Sequence, residues 1–87
     1  MAIKEWILKA IMQEREAQKA QWDKEHSWGY GDCSSNDVED IVKSSVLSEE
    51  CGEVSRAVLD CNQKSLRKEL IQVAAVAVAW LESMKEI

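Results

Sequence analysis

The sequence predicts an all-α protein with three main helices in a single domain that covers residues 1–87. A chain of 87 residues has room for one domain at most. It contains no proline and only three glycines, and its apolar residues recur at spacings of three and four rather than two. Hydrophobic residues make up 46% of the chain, so an ordered core is expected rather than disorder.

The first helix is predicted from about Ile3 to about Lys24. Five apolar residues near its start recur at helical spacing: Ile3, Trp6, Ile7, Ala10 and Ile11. Further along, the same face turns polar and carries Glu14, Gln18 and Gln21. The stretch 26–36, HSWGYGDCSSN, contains two glycines and a Ser-Ser-Asn cluster, and it is predicted to be a loop.

The second helix is predicted to begin after Asn36 as N-cap, with Glu39 as its capping-box partner. It continues to about Cys61, and Asn62 is expected to end it in a left-handed conformation. Ser65 is expected to cap a third helix that runs nearly to the end of the chain. Because the connection 62–64 is short, these two helices should form an antiparallel hairpin.

The third helix is apolar on almost every side. Between Leu70 and Leu81 its single polar residue is Gln72. A helix that is apolar all round is buried all round, and three helices of one short chain do not cover it. Chains of this length also have thin cores and gain stability by association. We therefore expect the helical hairpin to assemble into a four-helix-bundle-like core through oligomerisation, as a homodimer or a dimer of dimers.

Composition restricts the partners and the location of the protein. The formal net charge of −5 argues against a nucleic acid polymer as partner. No apolar run is long enough to span a membrane, and the first residues lack the unbroken apolar run of a signal peptide. A cytoplasmic location is expected, with Cys33, Cys51 and Cys61 all reduced. Of these, Cys51 and Cys61 are expected to be buried.

The second and third helices each carry an apolar stripe. The stripe of the second helix is Leu47, Cys51, Val54, Val58 and Cys61, and that of the third is Leu66, Leu70, Val73, Ala77, Trp80 and Met84. At about 100° per residue, Glu50 lies about 60° from its stripe and Glu53 about 120°. Glu69 and Gln72 have the same two offsets on the third helix. Packing the stripes together would bring Glu50, Glu53 and Glu69 to one groove edge.

Three carboxylates at one groove edge favour a divalent metal site. Without a cation they would repel one another and raise one another's pKa, and hard cations prefer oxygen ligands. Mg²⁺ is the expected ion, with Mn²⁺ as a substitute. The alternative is that these glutamates are solvated residues that flank an interaction helix, because E-E-x-x-E occurs on many ordinary helices.

The same residues resemble the MazG-like, all-α nucleoside triphosphate pyrophosphatases, whose hallmark is E-x-x-E on one helix and E-x-x-D on the next. Here the motifs are Glu50-x-x-Glu53, in LSEECGEVSRAVLD, and Glu69-x-x-Gln72, in LRKELIQVAAVAVAWLE. A branch of small MazG-like proteins also carries E-R-x-x-Q-x-x-x-W, matched here by Glu14, Arg15, Gln18 and Trp22. Gln72 departs from the family pattern, which usually has Asp.

The resemblance implies hydrolysis of a (d)NTP between its α- and β-phosphates, which yields the (d)NMP and pyrophosphate. It implies that Mg²⁺ is held by Glu50, Glu53 and Glu69, with Gln72 as the fourth metal-site residue. The neutral amide oxygen of Gln72 can coordinate the ion or hold a metal-bound water, but it contributes less charge than Asp. Glu49 and Glu53 are the candidates to activate the attacking water. The candidates for substrate binding are Arg15, Gln18, Trp22 and Trp28, the two tryptophans because they flank the loop and offer faces on which a base stacks.

Two alternatives to an active enzyme stay open. In one, the chain is a non-catalytic helical interaction module whose apolar third helix docks a partner helix. In the other, Gln72 marks a degenerate site that binds nucleotide without hydrolysing it.

Overall fold

The computed structural model describes residues 2–85 and confirms an all-α fold with three main helices. The helices are α1 (Glu5–Trp22), α2 (Asp40–Leu59) and α3 (Gln63–Glu82). Between α1 and α2 lie two short strands, β1 (Glu25–His26) and β2 (Gly29–Tyr30), which pair in antiparallel fashion. The segment predicted to be a loop therefore contains a small hairpin, whose two-residue strands are too short to show as a sequence pattern.

The prediction that Asn36 caps the second helix is wrong. The helix begins at Asp40, and its N-cap is Glu39 in an extended conformation without a side-chain cap. The preceding segment has another role, because the Asp37 carboxylate accepts a hydrogen bond from the backbone N–H of Tyr30 at 2.6 Å. Residues 36–38 form a turn rather than the first turn of the helix, and Asp37 ties this turn to the hairpin.

The predicted roles of Asn62 and Ser65 between the second and third helices are also wrong. Cys61, with φ 53°, is the residue that takes the left-handed conformation. Asn62 instead caps α3, because its side-chain oxygen accepts the backbone N–H of Ser65 at 3.0 Å. The helix therefore begins three residues earlier than predicted, because an asparagine at the N-cap satisfies a free backbone donor of the new helix.

α3 is the central helix, with α2 on one flank and α1 on the other. Two hydrogen bonds join the start of α2 to the end of α3: Lys43 Nζ to Ser83 Oγ at 2.8 Å, and Trp80 Nε1 to Asp40 Oδ1 at 2.9 Å. These contacts confirm the predicted antiparallel hairpin. The buried apolar residues are few and mostly small: Cys33, Val38, Ala57, Ala75, Val76 and Ala79.

The apolar stripes are not the main buried contact between α2 and α3. Ala75 and Ala79, which are buried, lie about 140° and 180° around the helix from Leu70, which is 51% exposed. Leu70, in the stripe of α3, thus lies on the side of the helix opposite these buried alanines, whereas Trp80, near the end of the stripe, contacts α2. Cys51 and Cys61 are exposed, so their predicted burial is wrong, and Cys33 is the buried thiol instead. Across the described chain, no helix has both the length and the hydropathy needed to cross a membrane.

Candidate functional site

Glu50, Glu53 and Glu69 form a cluster, called the carboxylate cluster below. One carboxylate oxygen from each residue lies within 4.8 Å of those from the other two. Glu50 and Glu53 stand on successive turns of α2, and Glu69 stands on the second turn of α3, where the antiparallel pairing of the helices brings it alongside. The predicted meeting of these three side chains is confirmed, although the helices pack through other faces than the stripes.

The electrostatics of the cluster favour a bound positive charge. Burial raises the pKa of Glu50 to about 7, and repulsion from Glu53, Glu69, Glu49 and Glu14 adds to the effect. The pKa of Glu69 is also raised, by burial and by its hydrogen bond with Glu53. With a pKa of about 7, Glu50 keeps a proton to higher pH than an ordinary carboxyl group, and a divalent ion would compete with that proton.

Gln72 belongs to the same cluster. With its amide nitrogen turned toward the carboxylates, it donates to Glu69 Oε2 at 2.7 Å and to Glu50 Oε2 at 3.1 Å. This orientation satisfies both partners, because a carboxylate oxygen accepts hydrogen bonds and the amide nitrogen donates them. Gln72 thus connects α3 to α2 within the cluster, and its N–H groups stabilise two of the carboxylates by hydrogen bonding.

The donor set fits a hard divalent cation. Oxygen ligands of an octahedral Mg²⁺ lie roughly 3–4 Å apart, because each stands about 2.0–2.1 Å from the ion. The three carboxylate oxygens lie within 4.8 Å of one another, which is close to that spacing. The exposure of Glu53 leaves the cluster open to solvent and to a ligand.

A pocket of about 340 Å³ adjoins the carboxylate cluster and shares Glu50 and Gln72 with it. The polar face of α1 forms one wall, and it contributes Glu14, Gln18, Gln21 and Trp22. Glu49 and the valines at 42 and 46 come from α2, and the valine at 76 comes from α3. The pocket therefore combines acidic side chains near the cluster with an apolar surface.

Aromatic side chains from α1 and the β-hairpin form one side of this pocket. Trp22 and Trp28 both line it, with ring centroids 6.4 Å apart. His26 stacks on Trp28 at 4.9 Å with an angle of 4° between the rings, and its Nε2 lies 3.2 Å from the Trp22 carbonyl oxygen. The hairpin that the sequence does not reveal thus sets the position of Trp28 relative to Trp22.

Arg15 lies beneath the pocket wall rather than in it. It is 9% exposed, its Nε donates to Glu82 Oε1 at 2.8 Å, and an Nη donates to Asp32 Oδ2 at 2.8 Å. Burial works against the charged guanidinium, but these hydrogen bonds outweigh it and raise the pKa of Arg15. Burial would likewise raise the pKa of Asp32, yet hydrogen bonds from Ser34 and Arg15 lower it. The pair joins α1 to the loop.

The structure brings most of the predicted site residues together. Gln18, Trp22, Trp28, Glu49, Glu50 and Gln72 line the pocket. Glu53 and Glu69 complete the adjoining cluster, and Arg15 supports the wall. Among the charged residues that line the pocket, two carry no predicted role: Glu14 and Asp32. Glu14 had a sequence signal, because it stands one turn before Gln18 on the polar face of α1, whereas nothing local marks Asp32.

Comparison of the chain with protein-family models, with curated proteins and with solved structures finds no match.

Proposed function

We propose that this protein is a Mg²⁺-dependent nucleoside triphosphate pyrophosphohydrolase that converts a (d)NTP to the (d)NMP and pyrophosphate. One observation carries the proposal: the cluster of Glu50, Glu53 and Glu69 adjoins a pocket that is also lined by Trp22 and Trp28. A nucleotide has the matching chemistry, with a flat base that stacks on aromatic rings and phosphates that need a cation beside carboxylates.

In this proposal the residues of the chain have separate tasks. Glu50, Glu53 and Glu69 would hold Mg²⁺, with Gln72 as a neutral neighbour that orients two of them. When bound, the ion would neutralise negative charge on the phosphates in the transition state. Glu49, which lines the pocket without belonging to the cluster, and Glu53 are the candidates to accept the proton of the attacking water. Cleavage between the α- and β-phosphates rests on the resemblance to MazG-like enzymes.

Association of two chains is part of the proposal, either as a homodimer or as a dimer of dimers. Leu70 and Leu81 on α3, and Met84 just after its end, are each more than half exposed. Leu70 and Leu81 lie about 160° and 180° around α3 from Gln72, so this outer face points away from the carboxylate cluster. Two hairpins that pack through it would form a four-helix-bundle-like core and leave both clusters open. We place this assembly in the cytoplasm.

The decisive experiment is a panel of (d)NTPs incubated with the protein and Mg²⁺, with separate assays for pyrophosphate and orthophosphate. Pyrophosphate and the monophosphate are the expected products. Loss of a residue that only supports a metal ligand lowers activity by about 10- to 100-fold. Glu50→Gln removes a proposed ligand itself, so it should lower kcat by more than about a hundredfold. Glu39→Gln, which removes a carboxylate outside the cluster, is the matched control and should leave kcat unchanged. Orthophosphate without pyrophosphate would refute the proposal.

Gln72 favours one alternative, a site that binds nucleotide without hydrolysing it. Its amide contributes no negative charge, and it already shares hydrogen bonds with Glu50 and Glu69. This alternative predicts Mg²⁺-dependent binding of the panel nucleotides with no products. A Gln72→Asp variant that gains hydrolysis would then identify the missing charge as the cause.

A further inference from the structure

The hydrogen bond between Arg15 and Gln18 fixes the orientation of a side chain in the pocket wall. An Arg15 Nη donates to Gln18 Oε1 at 3.3 Å. A guanidinium has five N–H donors and no acceptor, so only the oxygen of the Gln18 amide can face it. The amide nitrogen is therefore turned away from Arg15.

The guanidinium that sets this orientation is itself held firmly. Its Nε and an Nη make charge-assisted hydrogen bonds of 2.8 Å to Glu82 and Asp32, and the Asp32 side chain is 7% exposed. Asp32 is in turn fixed by Ser34, whose backbone N–H donates to Oδ1 at 3.0 Å. Rotation of Gln18 would place its amide nitrogen against a buried cation, which costs more than the single hydrogen bond it replaces.

The Gln18 amide nitrogen is free to meet a ligand. Gln18 lines the pocket together with Trp22 and Trp28, and the bond from Arg15 is the one hydrogen bond of its side chain within residues 2–85. No side-chain nitrogen or oxygen that is buried in this part of the chain lacks a partner. The unpartnered Gln18 nitrogen is therefore accessible, and it belongs to a side chain that lines the pocket together with the two tryptophans.

We infer that Gln18 is a specificity-determining residue that donates a hydrogen bond to an acceptor on the base, so that the pocket prefers bases with an exocyclic keto oxygen over those with an amino group. This inference rests on the proposed nucleotide function and adds the substrate class. A keto oxygen accepts a hydrogen bond from the fixed amide N–H of Gln18. An exocyclic amino group at the same position is itself a donor, so it forms no hydrogen bond with this N–H. Arg15 acts as a positioning residue through Gln18.

The test measures the affinity of non-hydrolysable α,β-methylene triphosphates by calorimetry in the presence of Mg²⁺. Two pairs are compared, uridine with cytidine and inosine with adenosine, because each pair exchanges a keto group for an amino group. The wild-type protein should prefer the keto member of at least one pair by about three- to tenfold, the effect of one net hydrogen bond. Gln18→Glu keeps an oxygen for Arg15 and replaces the donor by an acceptor, so it should abolish or reverse that preference.

Two further variants separate the hydrogen bond of Gln18 from effects of side-chain shape and charge. Gln18→Met has a similar shape and neither donor nor acceptor, and its keto-to-amino affinity ratio should fall to about one. Gln21→Glu adds the same charge on the same wall without a bond to Arg15, and it should change all four affinities together and keep the ratio. A ratio that is equal in the wild type and the Gln18 variants refutes the inference alone. Failure of all four nucleotides to bind refutes both the inference and the proposed function.

Discussion

The Gln72 amide nitrogen donates to Glu50 Oε2 at 3.1 Å and so joins the third helix to the second inside the carboxylate cluster. Hydrogen bonds to charged groups contribute on the order of 1–3 kcal/mol. Gln72→Glu replaces this donor by a fourth carboxylate. We expect it to lower the melting temperature in EDTA and to increase the rise that Mg²⁺ produces.

The control for Gln72→Glu is Gln63→Glu, which makes the same charge change at the exposed start of α3. Thermal unfolding followed by circular dichroism, with and without Mg²⁺, measures both effects. Equal Mg²⁺ responses of the two variants would show that residue 72 is not part of a metal site.

The raised pKa of Glu50 predicts a specific pH dependence of stability. Burial and the neighbouring carboxylates raise its pKa from 4.5 to about 7. Below pH 4.5, Glu50 is protonated in both the folded and the unfolded states, and its contribution to stability is fully present. Between pH 4.5 and pH 7 the unfolded state loses this proton first, so the free energy of unfolding falls as pH rises. Above about pH 7 the contribution of Glu50 is lost.

Melting temperatures of the metal-free protein between pH 4 and pH 8 test this dependence. Glu50→Gln should reduce the decrease in melting temperature with rising pH, because the glutamine amide does not titrate. Mg²⁺ should stabilise the wild type progressively more from pH 5 to pH 8, since it competes with the proton. Wild-type and variant curves that run parallel in EDTA would contradict the assignment to Glu50.

The buried Arg15–Asp32 pair predicts a large effect from loss of the guanidinium. Arg15→Ala leaves the Asp32 carboxylate, whose side chain is 7% exposed, without its cation. Removing one partner of a buried pair costs about 3–5 kcal/mol. The chain offers a matched control in Arg56→Ala, because Arg56 pairs with Asp60 at 4.0 Å and is 73% exposed, and such surface pairs contribute less than about 1 kcal/mol. Urea denaturation measures both, and similar losses would argue against a structural role for Arg15.

Two glycines should respond in opposite ways to substitution by alanine. At Gly29, φ is +123° and a Cβ would lie 2.5 Å from the Asp37 carbonyl oxygen. Gly29→Ala should therefore distort the β-hairpin, at a cost on the order of 1–3 kcal/mol, and weaken nucleotide binding by moving Trp28.

At Gly52 nothing lies within 4 Å, so Gly52→Ala should stabilise α2 by about 0.5–1 kcal/mol. Unfolding and calorimetric titrations compare the two variants, and unchanged affinity in Gly29→Ala would exclude Trp28 from the binding site.

If two chains associate through the outer face of α3, a single charged substitution in that face should disrupt the oligomer. Leu70→Glu places a carboxylate in the proposed interface, where its burial without a partner is unfavourable. We expect sedimentation to show a shift from dimer or tetramer to monomer at micromolar concentration. Ile41→Glu alters a residue that is 70% exposed on the solvent side of α2, and it should leave the assembly intact. A wild-type protein that sediments as a monomer would refute the association.

The helices and the carboxylate cluster were predictable from the sequence alone. Apolar periodicity over three turns or more determines that a segment is helical. The short connection makes α2 and α3 antiparallel, and that geometry brings Glu50 and Glu53 near Glu69. The helix ends were not predictable, because Asn36 and Asn62 both match capping signals. The structure shows that Asp37 is engaged by Tyr30 and that Asn62 caps the following helix.

Only the tertiary structure decided how the site is lined and supported. The two carboxylate partners of Arg15 lie 17 and 67 residues away along the chain, and no local pattern encodes a pairing across such distances. The same holds for the burial of Ala75, Val76 and Ala79 on α3, since a helix that is apolar all round has no preferred buried face until its neighbours pack. Sequence thus determined which residues share a helix face, whereas packing determined which faces meet, because contacts between distant segments depend on the whole fold.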